Sequence, residues 1–124
     1  MVLQLYQFIQ NQPNLNRKME KSNKEKKYEV YLNAICFVAG YITKNLSRLY
    51  LDINLDKKTA QITAFYNTLP TDLDLELLDD IETNSISRSP DIIFDQSKWF
   101  LVKDLKKDEY KYHDFLLFSF YEEE

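Results

Sequence analysis

Glycine is almost absent from this sequence. Gly40 is the only one among 124 residues, where average usage of about 7% would give roughly nine. Phosphate-binding loops of the dinucleotide, P-loop and kinase types each need several glycines within a few residues. The sequence therefore excludes these nucleotide-binding motifs.

Cysteine and histidine are equally scarce, with Cys36 and His113 the only examples. This supply cannot build a Cys/His zinc site or an internal disulfide. A lone free cysteine is compatible with a reducing cytoplasm, which is where we expect the protein. We expect neither a signal peptide nor a membrane span, because the N-terminal residues lack a basic start and no apolar run approaches roughly 18 residues.

The chain has the size and composition of one folded domain, which we predict over residues 1–124. Hydrophobic residues make up 44% and charged residues 29%, as in globular proteins. The predicted element order is α-α-β-β-α-β-β. Helices with a mostly antiparallel sheet define an α+β fold.

Helical spacing of apolar residues predicts helices over residues 2–11 and 25–46. The second half of the longer helix is apolar almost all round, which predicts burial on more than one side. We expect Cys36 to be buried and inert within it. Gly40 lowers helix stability there. We expect a glycine at this position because another backbone approaches it closely.

Alternating residues then predict two strands joined by a short turn, an antiparallel hairpin. In the first strand Leu49, Leu51 and Ile53 point to the core, whereas Tyr50 and Asp52 point to solvent. Further strands are predicted within residues 92–103, buried on both faces, and over residues 115–121, as a central strand. A second hairpin would then join the first in one sheet.

Between the strand pairs, Pro70 and Thr71 open a third helix, with Thr71 or Asp72 as its N-cap and Asn84 beginning a loop. Its apolar stripe is expected to bury Leu73, Leu77, Leu78 and Ile81.

Charge is distributed unevenly along the chain. Residues 17–27 carry six basic and two acidic side chains, whereas residues 68–97 carry eight acidic side chains and only Arg88 as a base. An acidic segment of this kind attracts a basic partner and speeds its association. An ordinary solvated helix surface is the competing interpretation. The overall acidity, with a pI of about 5.1, argues against direct nucleic-acid binding.

Catalytic and metal-binding patterns are weak. No glycine stands where a calcium loop needs one, so we predict no metal site and no cofactor. Asp95 and Lys98 are three residues apart, which places them on opposite faces of a strand and excludes a nuclease motif. His113 and its neighbour Asp114 would point apart on a strand, so we expect His113 at the surface or as a cap. We therefore predict a protein that is not an enzyme.

The hairpin RLYLDINLDKKTAQITAFYN, the acidic helix TDLDLELLDDIET and the closing strand HDFLLFSFYEEE together resemble the bacterial immunity proteins of toxin–immunity pairs. Those of contact-dependent growth inhibition systems are examples. The resemblance lies in general build and carries no diagnostic motif. It implies a cytoplasmic, non-enzymatic protein that binds one cognate toxin domain, usually a nuclease, and covers or distorts its active site.

A nuclease presents a basic surface to its substrate, and fixed carboxylates can imitate phosphates on that surface. Tyrosine and tryptophan then supply anchoring contacts. The expected partner-binding residues lie on the acidic helix, just after it, and on the first strand of the hairpin: Asp72, Asp74, Glu76, Asp79, Asp80 and Glu82; Asp91 and Asp95; and Tyr50 and Asp52. Asp72, Glu76, Asp79 and Glu82 should point outward, and Asp74 falls closest to the apolar stripe.

Two other function classes stay open from the sequence alone. A curved sheet under helices can enclose an apolar pocket, which would make the protein a ligand-binding or enzymatic domain using Asp52, His113 or tyrosines. An exposed sheet edge or apolar patch would instead suit a structural homo-oligomer. Outward acids over a filled core would favour the inhibitor, and a pocket with convergent polar groups would favour the ligand-binding domain.

Overall fold

The computed structural model describes residues 22–120, and within them two α-helices and a five-stranded sheet form an α+β fold. The helices are α1 (Asn23–Val38) and α2 (Asp72–Arg88). The strands are β1 (Leu46–Asn54), β2 (Thr59–Tyr66), β3 (Ile93–Phe94), β4 (Lys98–Leu101) and β5 (Phe115–Ser119). The helix predicted over residues 2–11 lies outside the described residues.

Helix α1 is shorter than the predicted one. It begins after Ser22, whose side chain accepts a hydrogen bond from the backbone N–H of Glu25 at 3.2 Å, and a 3₁₀ turn (Ala39–Tyr41) follows its end. Gly40 lies in this turn, and a Cβ added there would meet no atom within 4 Å. The expected close backbone approach is therefore wrong.

Burial of α1 is one-sided. Val30, Ala34 and Val38 face the core, whereas Leu32 is 43% exposed and Cys36 is also exposed. The expectation of a helix buried on several sides, with an inert buried thiol, is wrong. The apolar side chains of α1 exceed what one sheet and one neighbouring helix can cover.

The predicted hairpin of β1 and β2 is confirmed as antiparallel, with the register running from Leu46↔Tyr66 to Asn54↔Thr59. The pairs Leu49↔Ala64 and Leu51↔Ile62 consist of side chains that are fully buried. Together with the inward residues of both helices they form the hydrophobic core. This face of the hairpin positions everything else, because both helices pack on it.

The remaining strands pair differently from the prediction. Strand β5 pairs antiparallel with β1, while β3 and β4 both pair parallel with β2, so that the predicted second hairpin does not form. The strand predicted within residues 92–103 is two short strands on one edge of the sheet, and β5 is the opposite edge rather than a central strand. The sheet is mostly antiparallel by number of paired residues, as expected.

Residues 102–114, here called the crossover, connect the two edges of the sheet. Because β4 and β5 lie at opposite edges, the crossover must pass over the sheet, and it does so on the face that the helices leave free. Tyr50 and Phe65 project from that face, yet they are only 1% and 3% exposed. The ring of His113 covers Tyr50, which shows that the crossover provides a second layer.

Helix α2 extends to Arg88, beyond the predicted boundary at Asn84. Its serines satisfy their hydroxyls within the helix, since Ser85 Oγ donates to the carbonyl of Ile81 at 2.7 Å, a local bond that makes serine compatible with a helix. The buried positions of α2 are Asp74, Leu78, Ile81 and Ser85. Leu73 is 57% exposed, so its predicted place in the core is wrong.

No helix in the described part of the chain is both long and apolar enough to cross a membrane.

Candidate protein-interaction surface

Three of the predicted carboxylates share the outer side of α2. Asp72, Glu76 and Asp79 are all exposed, at the i, i+4 and i+3 spacings that place side chains on one helix surface. Within residues 22–120 none of them forms an ion pair. We call these three residues the acidic face, which combines like charges in solvent with no local compensation.

Arg88 is the only basic residue of the acidic segment, and it does not neutralise the acidic face. Its guanidinium carbon lies 4.5 Å from the centroid of the Phe37 ring on α1, a cation–π contact. It sits in the last turn of α2, where a cation complements the helix dipole. Arg88 therefore does not offset the negative charge of the first half of α2.

Asp80 and Glu82 are only half-buried and lie at the sides of α2. Glu82 Oε1 accepts hydrogen bonds from the backbone N–H of Ser97 at 2.7 Å and from its hydroxyl at 2.9 Å. Glu82 therefore joins α2 to the start of β4 instead of pointing freely outward. Its carboxylate adds negative charge at that end of β4.

Asp74 has a structural position, and its predicted place on the partner-binding surface is wrong, since it is only 4% exposed. It is the third residue of a capping box, in which its carboxylate accepts from the backbone N–H of Thr71 at 2.9 Å while the Thr71 hydroxyl accepts from the Asp74 N–H. The hydroxyl of Thr43 and the amide of Asn45 also donate to it. Burial raises the pKa of Asp74, but these hydrogen bonds outweigh burial and hold the pKa below its ordinary value.

Asp91 and Asp95 are exposed but lie away from the acidic face. Asp91 follows the C-terminal end of α2, a helix of 17 residues, which is about 25 Å long. Asp95 lies between β3 and β4, with its backbone N–H bonded to the carbonyl of Ala60 at 2.8 Å. The eight predicted carboxylates consequently form no single cluster.

Apolar side chains accompany the acidic face. Leu73 is 57% exposed between Asp72 and Glu76, and Leu69 is 70% exposed just before α2. Exposed leucines beside unpaired carboxylates offer a partner apolar surface to bury and negative charge to pair with. Helical periodicity does not identify Leu73 as a surface residue, because it groups Leu73 with Leu77, Leu78 and Ile81 in one apolar stripe.

The second predicted surface, on β1, is not available as expected. Tyr50 is 1% exposed, because the crossover covers it, so its predicted place on the solvent face is wrong. The Asp52 side chain is 36% exposed. Its Oδ2 lies 2.7 Å from His113 Nδ1, and its Oδ1 accepts from the backbone N–H of Asp114 at 2.9 Å. Asp52 therefore holds the crossover in place.

His113 is the centre of a cluster that sequence reasoning missed. Its predicted place at the surface is wrong, whereas its predicted place as a cap is confirmed, since it ends the 3₁₀ turn Glu109–Tyr112. Its ring stacks on Tyr50, with centroids 4.1 Å apart and planes at 11°. Nε2 lies 3.0 Å from Glu109 Oε2, and Glu109 is itself only 7% exposed. Both ring nitrogens thus face carboxylates. No signal in the sequence links Asp52 to a histidine 61 residues away.

The next features are the candidate metal ligands and the single thiol of the described residues. No group of three or more His, Cys, Asp or Glu side chains between residues 22 and 120 converges on a common point. Asp52 and Glu109 bind opposite nitrogens of one ring and therefore point at each other across it. Cys36 donates its thiol to the Leu32 carbonyl at 3.1 Å.

Two open clefts lie on the surface, and neither contains the His113 cluster. One, of about 490 Å³, lies between the start of α1, the β1–β2 turn and the end of α2, with Lys26, Lys58 and Asp91 among its lining residues. The other, of about 520 Å³, is a shallow apolar groove beside Tyr28 and Phe115. The first cleft reaches the end of the layer between helices and sheet, where the core residue Val30 and the partly buried Leu55 and Ile92 line it.

No protein-family model matches this chain, and no curated protein is significantly similar to it.

Proposed function

We propose that this protein is a non-enzymatic immunity protein that binds a cognate bacterial toxin domain, a basic nuclease domain in the first instance, and neutralises it through its acidic surface. The observation that carries the proposal is the acidic face of α2: Asp72, Glu76 and Asp79 are exposed and have no ion-pair partner within residues 22–120. Like charges this close repel one another mildly. A cationic partner would relieve that repulsion.

The packing of the fold also favours an inhibitor over a ligand-binding or enzymatic domain. The inner face of the hairpin is filled, with Leu49, Leu51 and Ile62 fully buried, so core side chains occupy the centre of the layer between sheet and helices. His113 and Asp52 lie on the opposite face and are bonded to each other. Exposed Leu69 and Leu73 beside the acidic face offer the apolar contact that a protein interface needs.

The direct test is co-expression of the tagged protein with the product of the gene immediately upstream, followed by affinity capture. The expected result is a stoichiometric complex with a basic domain at the end of a larger protein, and protection of cells from that domain. Salt should weaken the complex, because the proposed attraction is electrostatic. Capture of no partner, or toxicity unchanged by co-expression, would show that the proposal is wrong.

A further inference from the structure

The edge of the sheet formed by β3 and β4 is open in the described part of the chain. Both strands pair with β2 and with no other strand. The outward backbone N–H and C=O groups of an edge strand are a template for another strand. Between β3 and β4 residues 95–97 interrupt the edge, so β4 offers one short template over Lys98–Leu101.

Aromatic side chains stand on both sides of this template. Trp99 is 39% exposed and pairs in register with Ala64, on the face that carries the helices. Phe100 is 42% exposed and pairs with Phe65, its ring 5.7 Å away on the opposite face. An added strand would therefore meet an aromatic ring on either of its faces, since successive side chains alternate.

Carboxylates outnumber basic side chains around the start of β4, whose own first residue is the exposed Lys98. Asp95 is exposed three residues before Lys98, and the Glu82 carboxylate is bonded to Ser97 at the first position before the strand. Asp79 of the acidic face lies one turn earlier on α2. None of the three has an ion-pair partner within residues 22–120. The opposite edge lacks this imbalance, because Asp114 beside β5 pairs with Lys27 at 3.1 Å.

The negative charge near β4 favours some added strands over others. Two copies that joined their β4 strands antiparallel in one continuous sheet would bring both acidic α2 helices to the same side of it. Like charges placed face to face disfavour that arrangement. A basic segment from another protein has no such conflict and would gain the same main-chain hydrogen bonds.

We propose that β4 accepts an extended basic segment of a protein partner as an added strand, with apolar side chains beside Trp99 and Phe100 and basic ones beside Asp95 and Glu82. Where that partner is the toxin domain, this docking mode deepens the proposed function and rests on it. The main-chain bonds would supply affinity, and the flanking carboxylates would supply the preference for basic sequences.

The test measures amide hydrogen exchange of the full chain with a probe peptide, Ac-Lys-Val-Lys-Val-Lys-Val-Lys-NH2. The expected result is slower exchange at those amides of residues 98–101 that point away from β2, by about tenfold when the peptide stands at ten times its Kd. A version of the peptide N-methylated at alternate residues should give no protection, because it lacks the donors on one edge. A glutamate version should also give none. The double variant Asp79→Lys/Asp95→Lys should lose the protection, whereas Glu25→Lys/Asp56→Lys, which reverses two exposed acids at the start of α1 and in the β1–β2 turn, should retain it.

Four outcomes would overturn the docking mode. The first is that the lysine peptide leaves the outward amides of residues 98–101 unprotected, and the second is that the N-methylated peptide protects them equally. The third is that these outward amides are already protected in the free protein at all concentrations, in which case another part of this chain covers the edge. Protection that rises with protein concentration would assign the edge to a second copy.

The two proposals fail separately. A captured toxin domain that leaves residues 98–101 unprotected would overturn the docking mode and leave the proposed function standing. Peptide protection without any captured toxin domain would overturn the proposed function and leave the docking edge.

Discussion

The imidazole of His113 lies flat on the ring of Tyr50, with centroids 4.1 Å apart, and both of its nitrogens face carboxylates. This contact joins the crossover to β1 and closes the second face of the sheet. The stacking contact and the two nitrogen–carboxylate contacts meet at a side chain that is 11% exposed. The cluster therefore anchors the crossover to the sheet.

Replacing His113 by alanine should lower the free energy of unfolding by about 2–4 kcal/mol, because Oε2 of the buried Glu109 carboxylate loses its partner and Tyr50 loses its cover. The measurement is urea denaturation followed by Tyr and Trp fluorescence. Tyr110→Ala, at a 58% exposed position of the same crossover, is the matched control and should change stability by less than about 0.5 kcal/mol. Equal effects of the two substitutions would contradict an anchoring role.

The exposed fractions of two leucines on α2 differ sharply, at 5% for Leu78 and 57% for Leu73. Leu78→Ala should therefore cost about 2–4 kcal/mol through cavity formation, whereas Leu73→Ala should cost under about 0.5 kcal/mol. Thermal unfolding of both variants separates the two cases. A large loss of stability in Leu73→Ala would show that Leu73 is buried in the core, as the sequence predicts.

Asp74 makes stability depend on pH at the acidic end. Its hydrogen bonds hold the pKa of the folded state below the ordinary value, so the stability that it contributes is present above an unfolded-state pKa of about 3.9 and is lost as the pH falls below that. Asp74→Asn should flatten this decline in a series of denaturation curves from pH 6 to pH 2. Asp72→Asn, at the exposed neighbouring acid, should leave the decline nearly intact. The idea is wrong if the two variants behave alike.

Tyr66 makes stability depend on pH at the alkaline end. Burial, with a smaller effect from nearby Asp74, raises the pKa of Tyr66 from 10.0 to about 12. The folded state therefore keeps its proton longer than the unfolded state, and its stability is fully present below about pH 10 and falls as the pH rises through about 12. Tyr66→Phe should remove one late-ionising tyrosine from the absorbance titration at alkaline pH. Tyr110→Phe, at an exposed position, is the control and should leave the late-ionising tyrosine in the titration.

The sequence predicted those elements whose pairing is local. The β1–β2 hairpin follows from the alternation around Leu49 and Leu51, and the start of α2 follows from Thr71 and the acids after it. Neither depends on distant parts of the chain. Burial of Tyr50 could not be predicted in this way, because it depends on a crossover that returns some 60 residues later.

The same limit explains the errors at the edges of the sheet. Trp99 and Phe100 are consecutive apolar residues, a pattern that indicates a strand buried on both faces, and yet β4 is an edge strand with both rings partly exposed. Periodicity records which residues are apolar and not whether another element covers them. Asp74 was placed on the surface for the converse reason, since its burial depends on donors from Thr43 and Asn45, which lie on another segment.

Reversing two charges of the acidic face tests the surface on which the proposed function depends. Glu76→Lys with Asp79→Lys should slow association with a basic partner domain by about tenfold or more at low salt, since fixed charges steer encounter. The free energy of unfolding should change by no more than about 0.5 kcal/mol, because both residues are exposed and unpaired within the described part of the chain. Stopped-flow association at several salt concentrations measures the rate, and Asp56→Lys with Asp104→Lys controls for net charge. If the Glu76/Asp79 variant and this control slow association equally, overall charge and not the acidic face governs encounter; if neither does, electrostatic attraction is not how this protein finds its partner.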